Sequence, residues 1–177
     1  MRRTALLCAL AVAAAGCGYS TTRLLPSNYR IIYIEPFRNE IQFTQEPDER
    51  IGLTTTLPEL EETVTREVIN QFLIDGNLRV TTKREEADIV LDGKLVDFFR
   101  QTLRRLPDNT VEEFRLNLVA SLNLRDRSGK PIFSEPNFIG DTTYLASGTS
   151  AVSESSAVAK LMTDFSRRVV ERVIEDW

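Results

Sequence analysis

The side chains best suited to hold a ligand are four arginines that lie close together in the sequence: Arg100, Arg104, Arg105 and Arg115. A guanidinium group forms paired, charge-assisted hydrogen bonds with phosphate or carboxylate groups, so this cluster could bind an anionic ligand. The same arginines could instead form cross-strand ion pairs with Glu112 and Glu113, or contact a protein partner. The residue pattern leaves these three uses open.

The sequence lacks the side chains on which most protein catalysis depends. It contains no histidine, which removes the commonest general base and metal ligand and excludes Ser-His-Asp and Cys-His catalysis. Five carboxylates are candidates for an acid–base pair: Glu59, Glu61, Glu62, Asp88 and Asp92. No two of them have the spacing of a hydrolase pair beside an obvious nucleophile. We therefore expect a protein that is not an enzyme and that needs no cofactor or metal.

A cysteine near the amino terminus offers a different chemistry. Cys17 follows a basic start, an apolar run at 5–15 and Gly16. The run has the length of a secretory signal and is too short to span a bilayer. This arrangement resembles the signal of bacterial lipoproteins, so we expect residues 1–16 to be a signal peptide and Cys17 to be lipidated. The alternatives are an ordinary signal peptide with a cysteine nearby, or a transmembrane anchor.

Cleavage before Cys17 would change the composition of the chain. Cys8 would leave and acylation would cap Cys17, so no thiol would remain for a disulfide or a metal. Arg2 and Arg3 would also leave, which changes the formal net charge from −4 to −6 and argues against nonspecific binding of nucleic acid. Gly18 follows the cysteine, as in lipoproteins sent to the outer membrane. We expect the protein there, lipid-anchored on the periplasmic side.

Hydrophobic periodicity predicts the elements that position these residues. A buried strand is expected at 29–37, a loop at 38–53, and a helix that begins with a capping box of Thr56 and Glu59 and ends at Gly76. A short strand at 78–82 precedes two long strands joined by a turn at 107–109, and a further strand is expected around 137–144. The chain closes with a second amphipathic helix.

The alternation of the two long strands predicts their register. In the first strand, Phe99 and Leu103 are expected to face the core together with Ile89, Leu91 and Leu95. A turn centred between residues 108 and 109 pairs Leu103 with Phe114 and Phe99 with Leu118. It also places Arg100 opposite Asn117 and Arg104 opposite Glu113. Because residues alternate between the two faces, Arg100, Arg104 and Arg115 are predicted to share the open face of one hairpin.

These elements predict an α/β (α+β) fold for residues 29–177. One sheet with a single apolar face and two amphipathic helices form a two-layer sandwich, with a mixed sheet of four to five strands and both helices on one face. We expect residues 17–28 to be a lipidated tether and residues 29–177 to be one domain.

Four segments carry a resemblance to a known family: CGY at 17–19, LPS at 25–27, IIYIEPFRN at 31–39 and EADIVLDGKLVDF at 86–98. In this order they resemble the LptE family, the lipopolysaccharide-assembly lipoproteins of the Gram-negative outer membrane. The resemblance covers most of the chain from Cys17 onward. It implies the same two-helix, one-sheet sandwich that periodicity predicts.

The resemblance also implies a function and partners. Its members plug a large outer-membrane β-barrel, here an LptD-like partner, and help it deliver lipopolysaccharide to the outer leaflet. They bind lipopolysaccharide through basic side chains, so lipid A phosphates or core-sugar carboxylates are the groups that the arginine cluster would meet. The family's own binding residues are not carried over to positions of this sequence.

Two functions of another class remain as alternatives. Small α/β lipoproteins also activate cell-wall synthases in the periplasm or form secretion pores. A pore requires a long hairpin with a lipid-facing side, and the outer face of the 95–122 region is charged, which is unsuitable for lipid. A synthase activator usually carries a long disordered tether, whereas the tether expected here is short. Both features favour the plug.

Overall fold

The computed structural model describes residues 29–41 and 59–175. In these residues six strands and two helices follow one another, with a short 3₁₀ turn at Arg84–Glu86 between β3 and β4. The bounds are β1 Ile31–Ile34, β2 Arg38–Asn39, α1 Leu60–Asp75, β3 Arg79–Thr81, β4 Ile89–Arg105, β5 Val111–Asp126, β6 Pro131–Leu145 and α2 Glu154–Glu175.

The strands form one mixed sheet with the order β3-β1-β4-β5-β6. Strand β1 is parallel to β3 and to β4, and the long strands β4, β5 and β6 are antiparallel. The predicted fold class is confirmed, with more strands than expected. The additional strand is β2, whose residues Arg38 and Asn39 lie in a predicted loop and pair with Lys94 and Leu95. Two exposed polar residues give no alternation from which such a strand could be predicted.

Both helices pack on one face of the sheet and enclose the core with it. The predicted stripe of α1 is buried at Leu60, Val64, Val68 and Phe72, and Phe165 of α2 has no exposed surface. Helical spacing also predicts Leu57 and Trp177 on these apolar stripes, and both lie outside the described residues. Helical spacing identified this core because one buried face recurs about every 3.6 residues.

The start of α1 differs from the predicted capping box. Thr56 lies outside the described residues, and Glu59, which the box would place in the first turn, is instead the residue before the helix. Glu59 has φ 64° and its side chain caps no backbone N–H. The predicted end is confirmed, since Gly76 has φ 73° and its N–H donates to the carbonyl oxygen of Phe72. Glycine adopts this left-handed conformation at little cost.

Two glycines in the sheet allow close contact with aromatic rings. A Cβ added at Gly140 of β6 would lie 2.7 Å from the Phe165 side chain, and one added at Gly93 of β4 would lie 2.2 Å from the Phe37 ring. Both distances are shorter than van der Waals contact. The absence of a side chain at these positions therefore lets Phe165 and Phe37 pack directly on the sheet.

The register of the β4–β5 hairpin corrects the predicted one. Phe98, not Phe99, pairs with Leu118, Arg100 pairs with Leu116, and the pairing is irregular between Leu95 and Asp97 and again between Thr102 and Arg104. At the first irregularity Val96 is an extra residue without a partner, so the following side chains exchange faces. Phe98 is therefore buried with 2 % of its surface exposed, and Phe99 lies on the opposite face.

Strand β6 forms one edge of the sheet and is longer than predicted. It starts at Pro131 and shifts register between the partners of Ala120 and Leu122, next to Pro136. The guanidinium of Arg168 on α2 reaches around this edge. It donates to the carbonyl oxygen of Ile139 at 3.1 Å and lies 3.2 Å from Oδ1 of Asp141.

Candidate functional site

Arg100 faces the helix layer, which corrects its predicted position on the open face. Its Nη1 lies 2.6 Å from Oε2 of Glu154 at the start of α2, and its guanidinium lies 4.5 Å from the centre of the Phe114 ring. The hydroxyl of Tyr144 donates to the same carboxylate oxygen at 3.1 Å. The bulge at Val96 is the cause, because it turns Arg100 toward the core side. The Arg100–Glu154 contact therefore ties β4 to α2.

Tyr144 is buried in this contact, and its surroundings alter its titration. Burial raises the pKa of its hydroxyl, and the nearby charge of Glu154 acts in the same direction, while Arg100 opposes them. The Tyr144 ring also lies 5.6 Å from that of Phe114. The half-buried cluster of Arg100, Phe114, Tyr144 and Glu154 therefore joins the sheet to the second helix.

Arg104 and Arg115 lie on the open face, as predicted. Arg104 is opposite Glu113, and its Nε lies 3.1 Å from Glu112 and 3.8 Å from Glu113. Arg115 has its Nε 3.8 Å from Oδ2 of Asp141. The two side chains are 55 % and 42 % exposed, so solvent and a ligand can reach both of them. Each guanidinium already has an acidic neighbour, and an anionic ligand would have to compete with it.

Arg105 lies beside the turn that closes the hairpin. Its Nη1 donates to the carbonyl oxygen of Asn109, which adopts a φ of 70° in the turn. Hydrogen bonds from the backbone and side chain of Thr110 lower the pKa of Asp108 in the same turn. Leu103 and Leu106 expose 39 % and 36 % of their surface here. The hairpin tip thus presents arginines and leucines together.

An ion cluster that sequence reasoning missed lies on the open face, near the end of the β4–β5 hairpin that is opposite its turn. Asp92 has a side chain only 6 % exposed, with Arg38 Nη2 at 2.6 Å and Arg125 Nη2 at 3.2 Å. A glycine after an acid is typical of a bulge or a turn, but β4 pairs regularly at Asp92 and Gly93. Two guanidinium groups neutralise this carboxylate, so the cluster joins β2, β4 and β5. The cluster was missed because Arg38 lay in a predicted loop.

The open face combines these charges with buried and apolar positions. Asn117 is 7 % exposed and its Nδ2 has no hydrogen-bond partner among the described residues. Val119 is 9 % exposed, and its neighbour on β6, Ile139, is 49 % exposed. The face is therefore more than a layer of solvated charges. Its accessible groups are the exposed charges and the side chain of Ile139, while Asn117 and Val119 are buried.

Other kinds of site find no support in the part of the chain that the structure describes. Residues 29–41 and 59–175 contain no group of three or more side chains placed to hold a metal ion. Among the same residues, neither helix has the length and apolar character needed to cross a membrane. Cys17, the predicted lipidation site, lies outside the described residues.

Comparison with known proteins places residues 29–176 in one family. They match the model of the LptE family, described as lipopolysaccharide-assembly. No curated protein matches the chain.

Solved structures show the same fold at low sequence identity. The hypothetical protein CT253 from Chlamydia trachomatis is 13 % identical, with a TM-score of 0.54, and the match covers 82 % of this chain and 95 % of that one. Protein XCC0632 from Xanthomonas campestris is 11 % identical, with a TM-score of 0.55 and coverages of 82 % and 84 %. At such identities the likeness concerns the fold alone.

Proposed function

The chain belongs to the LptE family of lipopolysaccharide-assembly proteins, and from this we propose that it is a lipid-anchored subunit of the outer-membrane machinery that inserts lipopolysaccharide into the outer leaflet. The observation that carries the proposal is the family match over residues 29–176. The resemblance to the family is thereby confirmed, and the segments at 31–39 and 86–98 lie within the matched residues. The finer role, a plug in the lumen of an LptD-like β-barrel, is our proposal.

The open face of the sheet supports a role as a plug. A protein enclosed by a barrel must meet the polar groups of a barrel wall, and Arg38, Arg125 and Asp141 present exposed charges on this face. The helices leave this face uncovered because they pack on the other one. A surface of this composition suits hydrogen bonding with a protein wall better than contact with lipid tails.

Co-purification tests the partner. The full chain with a carboxy-terminal tag is expected to bring down one large β-barrel protein from outer membranes solubilised in detergent. A matched variant, Arg66→Ser with Arg167→Ser, changes arginines of the helix layer and should retain the barrel. Recovery of the tagged chain without a barrel would contradict the plug.

We propose that Arg104, Arg105 and Arg115 form the lipopolysaccharide-facing group, with Arg100 held apart by Glu154. Contacts between guanidinium groups and phosphates are charge-assisted and screened by salt. The double change Arg104→Ser and Arg115→Ser is therefore expected to weaken lipopolysaccharide binding and to reduce its salt dependence. The Arg66→Ser and Arg167→Ser pair is the control for overall charge. Equal binding by both double variants would place the ligand elsewhere.

A further inference from the structure

Two neighbouring residues at the end of α1 are more exposed than any other large apolar residue in the described ranges. Ile74 exposes 77 % of its surface and Leu73 exposes 62 %, whereas the next most exposed, Ile139, exposes 49 %. They lie in the last turn of the helix, just after the buried stripe ends at Phe72. Core packing does not explain them, because neither contributes to the buried cluster.

The last turn of α1 lies at the end of the sheet where the chain enters from the amino terminus. Helix α1 ends at Asp75, and β3 begins at Arg79 beside β1. The N–H of Arg79 donates to the carbonyl oxygen of Arg30 at 2.9 Å, next to Tyr29, the first described residue. Leu73 and Ile74 are therefore near the point at which the segment from Cys17 joins the domain.

Chain length limits how far this end can be from a lipid anchor. The twelve residue steps from Cys17 to Tyr29 span at most about 40 Å. Strand β4 has 17 residues and is about 55 Å long at about 3.3 Å per residue, so the hairpin tip lies farther from Tyr29 than Cys17 can lie. An acyl chain on Cys17 thus holds the end with Leu73 and Ile74 within about 40 Å of the bilayer, and this segment is too short to place the anchor beside the tip.

We propose that Leu73 and Ile74 form a membrane-contact site that inserts into the interfacial layer of the bilayer. The inference rests on the lipid anchor proposed above. The free energy falls when apolar side chains on a helix surface move from water into the boundary between headgroups and acyl chains. The exposed side chains of Arg30 and Arg79 at the same end are suited to anionic headgroups, whereas the acid Asp75 is engaged by Asn77.

The proposal can be tested with spin labels on the full, lipidated chain. Acylation of Cys17 leaves no free thiol, so Ile74→Cys provides a single labelling position, and Leu103→Cys at the hairpin tip is the matched exposed control. Each labelled protein is reconstituted in vesicles of phosphatidylethanolamine and phosphatidylglycerol. Collision rates with oxygen, which concentrates in lipid, and with a water-soluble nickel complex are then compared. The oxygen-to-nickel ratio should be about tenfold higher at position 74 than at position 103.

The outcomes separate the membrane site from the anchor on which it rests. Mass spectrometry of the same samples reports whether Cys17 carries acyl chains. An acylated chain whose label at position 74 meets nickel freely would overturn the contact site alone. A label at position 74 that neither reagent reaches would also overturn it, because it would mean that protein covers the patch. A chain without acyl groups would overturn the anchor and this inference together.

Discussion

At the scale of single residues, the four arginines of the hairpin divide into two kinds. Arg100 is 24 % exposed and joins Glu154 and the Phe114 ring on the core side, while Arg104 is 55 % exposed on the open face. A half-buried pair loses more when one partner is removed than an exposed pair, because the remaining charge stays partly desolvated. The two arginines should therefore respond differently to the same substitution.

We predict that Arg100→Met lowers the free energy of unfolding by about 1–3 kcal/mol, since Glu154 loses its charged partner. Arg104→Met is the matched control and should cost at most about 1 kcal/mol, because exposed ion pairs contribute little. Urea denaturation of both variants measures the difference. If the two variants lose the same stability, Arg100 does not tie β4 to α2.

Tyr144 adds a prediction about pH. Burial raises the pKa of its hydroxyl in the folded state, so above about pH 10 the unfolded chain gives up this proton before the folded one does. The contribution of Tyr144 is therefore present below that pH and is lost as the pH rises through the folded pKa. Tyr144→Phe should make the melting temperature fall less steeply as the pH rises above about pH 10. Parallel curves for the two proteins would show that this tyrosine does not titrate differently on folding.

At the scale of elements, the helices were predictable and the path of one strand was not. Helical spacing gave the buried stripe of α1, and alternation gave the buried face of β5 from Leu116 to Leu124. Alternation failed on β4 after Leu95, because an extra residue changes the face of every residue that follows it. In the sequence Val96-Asp97-Phe98-Phe99, either phenylalanine can be the inward one. Only the pairing with β5 decides between them.

We predict that deletion of Val96 is tolerated. Val96 has no partner on β5 and is 39 % exposed, and without it Leu95, Asp97 and Phe98 would alternate in, out and in as a regular strand. The expected loss is about 1 kcal/mol or less, from thermal denaturation. Deletion of Lys94 is the control, since it would turn Leu95 away from the core. Unfolding of both deletion variants would mean that the bulge itself is required.

The packing of α2 on the sheet depends on Gly140. Gly140→Ala would place a methyl group 2.7 Å from the Phe165 side chain, so we expect a loss of about 1–3 kcal/mol from overpacking. In a Phe165→Leu background the same change should cost less, because the smaller side chain leaves room. A double-mutant cycle by urea denaturation measures the coupling. Equal costs in the two backgrounds would contradict close contact at this position.

At the scale of the whole molecule, hydrophobic periodicity predicts the fold class. Two amphipathic helices and a sheet with one apolar face can bury their apolar surfaces together in few ways. For this reason periodicity alone predicts a helix layer packed on one face of the sheet. The Asp92 cluster could not be predicted, since Arg38, Asp92 and Arg125 are far apart in sequence and meet only through strand pairing. The arginines on the open face could be placed, but their ligand could not.

Lipidation at Cys17 is expected to decide where the molecule is found. Acyl chains contribute about 0.8 kcal/mol for each buried methylene, which makes an anchor with several chains effectively permanent. Cys17→Ser should therefore appear in the soluble periplasmic fraction, and the unaltered chain in the outer-membrane fraction, when both are followed by immunoblot. Gly16→Ala is a suitable control because it keeps a small residue before the cysteine. A serine variant that remains in the membrane without a barrel partner would contradict the lipid anchor.

The Arg168 contact at the edge of the sheet has a consequence for how copies of this protein behave when crowded together. A free edge strand can recruit the matching strand of another molecule, which is the first step toward ribbons and fibrils. On β6 this template is interrupted, because Pro131 and Pro136 carry no N–H and the guanidinium of Arg168 occupies the carbonyl oxygen of Ile139. Neighbouring copies at high concentration therefore meet an edge on β6 that cannot continue a regular ladder of hydrogen bonds from one molecule to the next.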